Sequence, residues 1–289
     1  MDEVLISAIL DYLKNGMRVA LCEIVNKEGS APRDVGAKMV VGEDGRRVGT
    51  VGGGLFEAEL ISDAVKAISE GRSKLVKYSF TDKPVEGARE TGLICGGVLW
   101  VFIDVFTPTP RAIVIGLGNV GRPLLTILKL VGFELVVLDT NRDLEVASEL
   151  GVSSVFVGVV DELVSKVREL VRKRDHVFVV YGDIDADYLF VRESLKTEAE
   201  AVWLLGSKRK VYEFVKKLAL EGFNLDDVAR RLRAPIGLDI GADTPEEIAV
   251  SVGAELVALK RGVKAESLNI VPKIVADLLR DDAGKSFTN

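Results

Sequence analysis

The run Gly116-Leu117-Gly118-Asn119-Val120-Gly121 constrains this chain more than any other stretch. It follows the apolar segment Ala112–Ile115, which reads as a strand, and opens a helical periodicity that runs through Val131. A second apolar segment, Leu135–Leu138, ends at Asp139, 18 residues after Gly121. Glycines in this spacing between a strand and a helix let the backbone approach a diphosphate at the positive end of the helix dipole. Asp139 is then placed to accept from a ribose 2′-hydroxyl and to disfavour a 2′-phosphate. The same context also suits a fold of this kind that uses no nucleotide. Further strands are expected at Ser154–Val157, Val177–Tyr181 and Ala201–Leu205, with helices between them and at Lys208–Glu221, Leu225–Arg231 and Pro245–Val257. The last has Thr244 at its N-cap, Pro245 at N1 and Glu247 at N3. This alternation implies an α/β class, with a Rossmann-like, doubly wound parallel sheet and right-handed crossovers.

The first third of the chain has a different pattern. Val19–Val25 reads as a strand, and Lys38–Val41 and Arg47–Val51 flank an Asp44-Gly45 turn as a hairpin. Leu55–Glu70 reads as a helix, and Lys74–Phe80 and Val98–Phe106 as strands on either side of a polar, glycine-rich loop expected to be mobile. Thr107-Pro108-Thr109-Pro110 is the best boundary. The expectation is a smaller α+β domain over 1–107, a Rossmann-like domain over 111–262, and a terminal helix (Ala265–Leu279) with a frayed tail within 263–289.

Eight of the 28 glycines fall between Gly29 and Gly54, and the cluster ends in Gly52-Gly53-Gly54 at the start of an amphipathic helix. It reads either as a set of tight hairpins or as an anion cradle. Glu57 lies four residues before Ile61 and continues the inward stripe of that helix. It is either a site carboxylate with a raised pKa or an N3 capping residue behind Gly54. Cys95 sits in a loop with little cover, which suits a reactive thiol, whereas Cys22 lies within an apolar strand and reads as packing.

In Leu205-Gly206-Ser207-Lys208-Arg209-Lys210, Ser207 looks like an N-cap, so three cations would occupy a first helical turn that disfavours positive charge. Either an anionic ligand held at the sheet edge relieves the conflict, or acidic neighbours such as Glu213 do. The loop Arg233–Gly241 suits a crossing of the sheet edge, structural or site-bearing. His176 reads as a strand-entry residue rather than a catalytic one.

A net charge of −6 argues against non-specific nucleic-acid binding. No apolar run approaches the length of a membrane span. The opening residues lack the features of a secretory signal, so a cytoplasmic location is expected. Two cysteines without a CxxC pair and one histidine leave no disulfide framework, multi-histidine zinc site or conventional hydrolase triad. No residue is assigned a catalytic role and none a metal-binding one. The absence of glutamine and the wealth of Val, Glu, Lys and Arg resemble the bias of heat-adapted (thermophile) proteins.

Taken together, EGSAPRDVGAKM, VGTVGGGLFEAE and ICGG before a strand resemble the N-terminal domain of the XdhC/CoxI family, accessory proteins of xanthine dehydrogenase and related molybdenum hydroxylases. GLGNVG, LLGSKRK and RAPIGLDIGADTPEEIAVSVGAE resemble the family's C-terminal Rossmann domain, in order. The resemblance spans about Val19 to Lys260. It implies a chaperone that binds the molybdenum cofactor, as molybdopterin or its cytidine dinucleotide form, shelters its sulfurated state and inserts it into an apo-hydroxylase. A sulfurase is a further implied partner, and a homodimer is expected. The residues carried into that site are Gly52, Gly53, Gly54, Glu57, Cys95, Gly116, Gly118, Asn119, Gly121, Asp139, Gly206, Ser207, Lys208 and Arg209. On this reading Gly52–Gly54 and the two Rossmann turns enclose one ligand between two domains. Where the family often carries a Thr-His-Asp-type stretch, this chain has Tyr181-Gly182-Asp183-Ile184-Asp185, which puts a site role for that loop in doubt. Two alternatives remain open: an NAD-dependent oxidoreductase, and a regulator gated by NAD or another nucleotide.

Overall fold

The computed structural model describes residues 2–82, 84–93, 95–140, 149–266 and 271. Its first half is a six-stranded sheet built from β1 (Val19–Glu28), β2 (Lys38–Gly42), β3 (Arg47–Gly49), β4 (Lys74–Ser79), β5 (Arg89–Glu90) and β6 (Val98–Phe106), in the order β3-β2-β1-β6-β4-β5. All pairings are antiparallel except that of β5, a two-residue strand inside the loop expected to be mobile, which runs parallel to β4. One face packs on α2 (Gly54–Glu70), where Phe56, Leu60, Ala64 and Ala67 meet Cys22, Ile24, Met39 and Val101. Part of the other face lies under α1 (Asp2–Lys14) through Leu5, Val19 and Val40.

The second sheet is parallel throughout, with β7 (Arg111–Ile115), β8 (Glu134–Asp139), β9 (Ser154–Val157), β10 (His176–Val179), β11 (Ala201–Leu204) and β12 (Leu232–Arg233) in the order β12-β11-β10-β7-β8-β9. Its central strands are buried on both sides and therefore read as continuous apolar runs. α3 (Gly121–Leu130) and α8 (Pro245–Arg261) cover one face; α4 (Val160–Leu170), α5 (Ile184–Leu195), α6 (Lys208–Leu220) and α7 (Leu225–Arg231) cover the other. The α/β, doubly wound expectation holds. Gly253 lets α8 lie against α3: a Cβ there would stand 2.4 Å from Ile127 Cγ2. The expected terminal helix falls largely on 267–270 and 272–289, outside the described residues.

The two sheets meet where β6 ends and β7 begins. Glu43, in the turn after β2, accepts from Lys173 Nζ at 2.6 Å, Arg174 Nη2 at 2.8 Å and the Arg18 amide at 3.1 Å. Arg174 also donates to the Gly16 carbonyl at 2.9 Å, and a Cβ on Gly16 would lie 2.2 Å from the Lys173 carbonyl oxygen. Beneath them the Arg111–Asp175 pair is buried, with Nε to Oδ1 at 3.0 Å. Arg111, Lys173, Arg174 and Asp175 sit at the starts of β7 and β10 or in the turn beside them, so the first half is docked on the strand-start edge of the parallel sheet.

This docking corrects the single interdomain cleft expected from sequence. β1 carries the chain from the joint (Val19) to the glycine end (Glu28) and β6 returns it (Val98 to Phe106), while β7 runs from the joint to Gly116. At 3.3 Å per residue, the nine residues of β6 put the glycine end about 30 Å from the joint, and the five of β7 put the Gly116 turn about 16 Å from it. Each glycine-rich region, or pole, thus lies at the strand end away from the joint.

Candidate functional site

In the parallel sheet the strand order reverses between β7 and β10, because β8 and β9 lie on one side of β7 and β11 and β12 lie beyond β10. Crevices at such switch points, outside the carboxyl ends of the strands, are where open α/β sheets bind ligands. Here the crevice has a volume of about 490 Å³ and is lined by Gly116, Leu117, Gly118, Asn119, Arg122, Asp139, Tyr181 and Asp183. The three glycines have separate duties. A Cβ on Gly116 would stand 2.5 Å from Tyr181 Cα, and one on Gly121 would stand 2.0 Å from the Gly116 carbonyl oxygen, so both are required for close packing. Gly118 has nothing within 4 Å of that position, and its bare backbone faces the crevice.

Asp139 is buried, and its carboxylate accepts from the Leu117 amide, which fixes the turn to the end of β8. Arg122, the second residue of α3, anchors its Nε on the Leu117 carbonyl at 3.1 Å and brings a guanidinium to the crevice wall. Opposite it, Asp183 caps α5 by accepting from the Asp185 and Ala186 amides at 3.1 and 2.9 Å. The Tyr181 hydroxyl meets Thr140 Oγ1 at 3.0 Å. Of the sequence-derived candidates, Gly116, Gly118, Asn119 and Asp139 line the crevice and Gly121 supports it. Arg122, Tyr181 and Asp183 are additions, and a cation directly after the last glycine of the motif was the available signal for the first.

The second Rossmann turn stands two strands away, at the end of β11. Ser207 is the N-cap of α6 and accepts from the Lys210 amide at 3.3 Å. The three first-turn cations are not equivalent. Lys210 pairs with buried Asp187 and donates to the Leu205 carbonyl at 3.1 Å, so this acid, rather than Glu213, relieves part of the conflict with the dipole. Burial holds the Asp187 carboxyl above its ordinary pKa even against Lys210. Lys208 and Arg209 are exposed, and with Gly206 and Ser207 they lie outside the crevice lining. The Arg233–Gly241 loop is tied to α8 by Gly237 N to Glu255 at 3.1 Å and Ser251 Oγ to the Leu238 carbonyl at 2.7 Å.

At the other pole, Gly52, Gly53 and Gly54 all have positive φ (142°, 82° and 68°), and Gly53 is the N-cap of α2. The turn is wound around Glu57. One carboxylate oxygen accepts from Thr50 Oγ1 and from the amides of Val51, Gly52 and Gly53, the last three at 2.9, 3.2 and 2.9 Å. The other oxygen meets Arg47 at 3.3 Å. Desolvation of this buried group is outweighed by the Thr50, Gly53 and Val51 hydrogen bonds and by Arg47, so its pKa is lowered. Both sequence readings of Glu57 need correction. The pKa moves down rather than up, and the residue is the fourth of its helix, with Gly53 rather than Gly54 as N-cap. The anion cradle exists, but the chain's own carboxylate fills it. Gly53 and Gly54 keep open space on the outer side.

Cys95 is exposed at this same pole. Its amide and that of Gly96 both donate to the Phe80 carbonyl at 2.8 Å. The Gly29–Arg33 loop joins the two features: Gly29 is closed against Gly96, and Gly52 against Pro32. Cys22 is buried, and desolvation pushes its thiol up to about 12, which makes it inert. His176 opens β10, accepts from Trp203 Nε1 at 3.1 Å through Nδ1, and is pushed by burial down to about 4, a neutral ring in the core. Among the described residues no cluster of His, Cys, Asp and Glu suits a metal ion, and no helix is long and apolar enough to cross a membrane.

Fold and crevice together define a Rossmann-type α/β protein with an added α+β half. Residues 112–256 match the XdhC Rossmann domain, and residues 12–79 match the XdhC and CoxI family. The chain belongs to the XdhC and CoxI family. It is 34% identical over 241 residues to the uncharacterized protein YqeB of Escherichia coli K12, covering 83% of this chain and 43% of that one. It is 38% identical over 69 residues to the molybdenum cofactor insertion chaperone PaoD of the same organism, covering 24% of this chain and 22% of PaoD. It is 28% identical over 169 residues to a probable xanthine dehydrogenase subunit of Bacillus subtilis 168, covering 56% of this chain and 47% of that one. The chain thus spans less than half the length of each of these relatives.

Proposed function

We propose that this chain is a maturation factor that binds the molybdenum cofactor and delivers it to an apo-hydroxylase of the xanthine dehydrogenase type, acting in the cytoplasm beside a sulfurase. The observation that carries the reading is the open position at Gly118, set between the N-terminus of α3 and the Arg122 guanidinium. A phosphate or diphosphate fits such a place, since backbone amides, helix dipole and guanidinium all favour an anion there. Molybdopterin ends in a phosphate, and its dinucleotide form carries a diphosphate. When bound, the cofactor supplies the molybdenum centre; the residues of the crevice bind and orient its phosphate end. Lys208 and Arg209 extend the same edge with positive charge.

A second reading, NAD or another nucleotide as substrate or effector, is favoured by Asp139 at the end of β8. The two are separated by titrating the protein with molybdenum cofactor and, separately, with NAD while following heat stability. A ligand that binds only the native state raises the melting temperature by linkage. Stabilisation by the cofactor supports the carrier. Stabilisation by NAD alone rejects it, and NAD binding without turnover selects the regulator over the oxidoreductase.

A further inference from the structure

The joint between the two halves holds a cavity of its own, of about 330 Å³. Its walls come from three places: the last turns of α1 with Gly16, the linker 107–109, and the turn 172–175 that leads into β10. Arg111, the first residue of β7, also lines it. The cavity therefore belongs to the start of the strand whose other end carries the Gly118 crevice, and the two share no lining residue.

The lining is basic. Lys14, Arg111, Arg172, Lys173 and Arg174 stand against two carboxylates, Glu134 and Asp175. Glu43, which pairs with Lys173 and Arg174, is a third. Five cations against three carboxylates leave two positive charges uncompensated, the complement of one dianion. The cations also differ in what holds them. Lys173 and Arg174 are taken by Glu43, whereas the side chains of Lys14 and Arg172 are exposed and have no ion pair or hydrogen bond among the described residues. Arg111 is buried, with a side chain only 7% exposed. Its Nε and Nη2 donate to Asp175 and the Leu170 carbonyl, and Nη1 has no partner among the described residues. Asp175 is already saturated by that guanidinium and by the Arg172 amide at 2.7 Å. A buried guanidinium with free donors, on a wall of excess positive charge, is a place that an oxyanion satisfies.

We propose that this joint cavity binds a phosphate dianion, either free or as a phosphate monoester, held by Arg111, Lys14 and Arg172. Leu10, Leu13 and Pro108 give part of the wall an apolar character that suits the short carbon body of an ester. The ligand touches α1, the linker and the turn before β10 together, so it binds only the docked arrangement and stabilises it by linkage. The site is separate from the crevice and does not depend on the carrier reading.

Calorimetric titration of the full chain with inorganic phosphate and with glycerol 3-phosphate, at ionic strength held constant with sodium chloride, tests the site. The parent protein is Arg122→Ala, so that an anion bound at the crevice does not count. Lys14→Glu/Arg172→Glu reverses two exposed, unpaired charges, and its melting temperature in chloride alone checks the fold. The expected result is one phosphate per parent chain and at least about a tenfold loss of affinity on charge reversal. Glu134→Gln, which removes the one lining carboxylate that has no partner among the described residues, should tighten binding, a gain that no loss of folding can imitate. Phosphate should also slow hydrogen exchange of the Gly16 and Asp175 amides, which bond to the Leu13 and Arg172 carbonyls beside the cavity. Tighter binding of the ester assigns the site to a phosphorylated metabolite, and tighter binding of inorganic phosphate assigns it to the free ion. No phosphate binding by the parent overturns the inference, as does equal affinity in the charge-reversed protein or no gain with Glu134→Gln. None of these results bears on the carrier reading, which rests on Gly118 and Arg122.

Discussion

The two glycine-rich turns look alike in sequence and differ in who takes their amides. At each, a glycine run enters a helix and a carboxylate lies nearby, Glu57 at one and Asp139 at the other. Glu57 takes three consecutive amides and a hydroxyl, so the Gly52–Gly54 turn is filled from within and offers a ligand only bare surface. Asp139 reaches the Leu117 amide from the neighbouring strand, and the Gly118 position beyond it stays open beside Arg122. A cradle is a ligand site only when the chain has not already supplied the anion.

The sharpest way to break this comparison is to remove the internal anion. Glu57→Ala removes the common acceptor of three amides, that of Val51 buried, and urea unfolding should show a loss of about 3 kcal/mol. A loss below about 1 kcal/mol would mean the turn holds its shape without Glu57. Next in size is Gly121→Ala, whose new methyl would overlap the Gly116 carbonyl; about 2 kcal/mol of destabilisation is expected. The first-turn cations divide in the same way. Lys210→Met leaves Asp187 buried and unpaired, at a cost of about 2 kcal/mol, whereas Lys208→Glu should change stability by less than about 0.5 kcal/mol and weaken only the binding of an anionic ligand. Arg122→Ala should lower affinity for the cofactor about tenfold, or about 1.4 kcal/mol, at an unchanged melting temperature. The smallest effect is acid sensitivity. The folded pKa of Glu57 is depressed, so its contribution is complete above the unfolded value near pH 4.3 and fades as pH falls through the lower folded value. The protection factors of the Val51–Gly53 amides, corrected for intrinsic exchange, should therefore fall in acid before those of β7, and simultaneous loss would count against a separate role for Glu57.

Much of the architecture was legible because its signals are local. The parallel strands are apolar runs, the Asp44-Gly45 turn marks its hairpin, and Thr244, Pro245 and Glu247 mark the start of α8, with Thr244 accepting from the Glu247 amide at 3.2 Å. The misses are non-local. β5 is two charged residues whose strand conformation comes from Tyr78 and Ser79 beside them. Lys210 finds its partner 23 residues upstream, in the helix that follows the loop whose missing histidine had put its role in doubt. The direction of the Glu57 shift depends on amide geometry that residue type does not encode. The docking of the first half on the strand-start edge depends on Gly16 and Glu43 meeting Lys173 and Arg174, a set with no motif at all. Within the crevice, the glycines and Asp139 were visible as a spacing, while Tyr181 and Asp183 arrive in the loop after β10, a strand that the order of the sheet places beside β7.

The central claim is that the open position at Gly118 is where the phosphate end of the ligand binds. Equilibrium binding of molybdenum cofactor to the wild-type chain and to Gly118→Asp, with melting temperature as the fold control, tests it most directly. The account predicts at least about a tenfold loss of affinity with no fall in melting temperature. Equal affinity in the two proteins would contradict it.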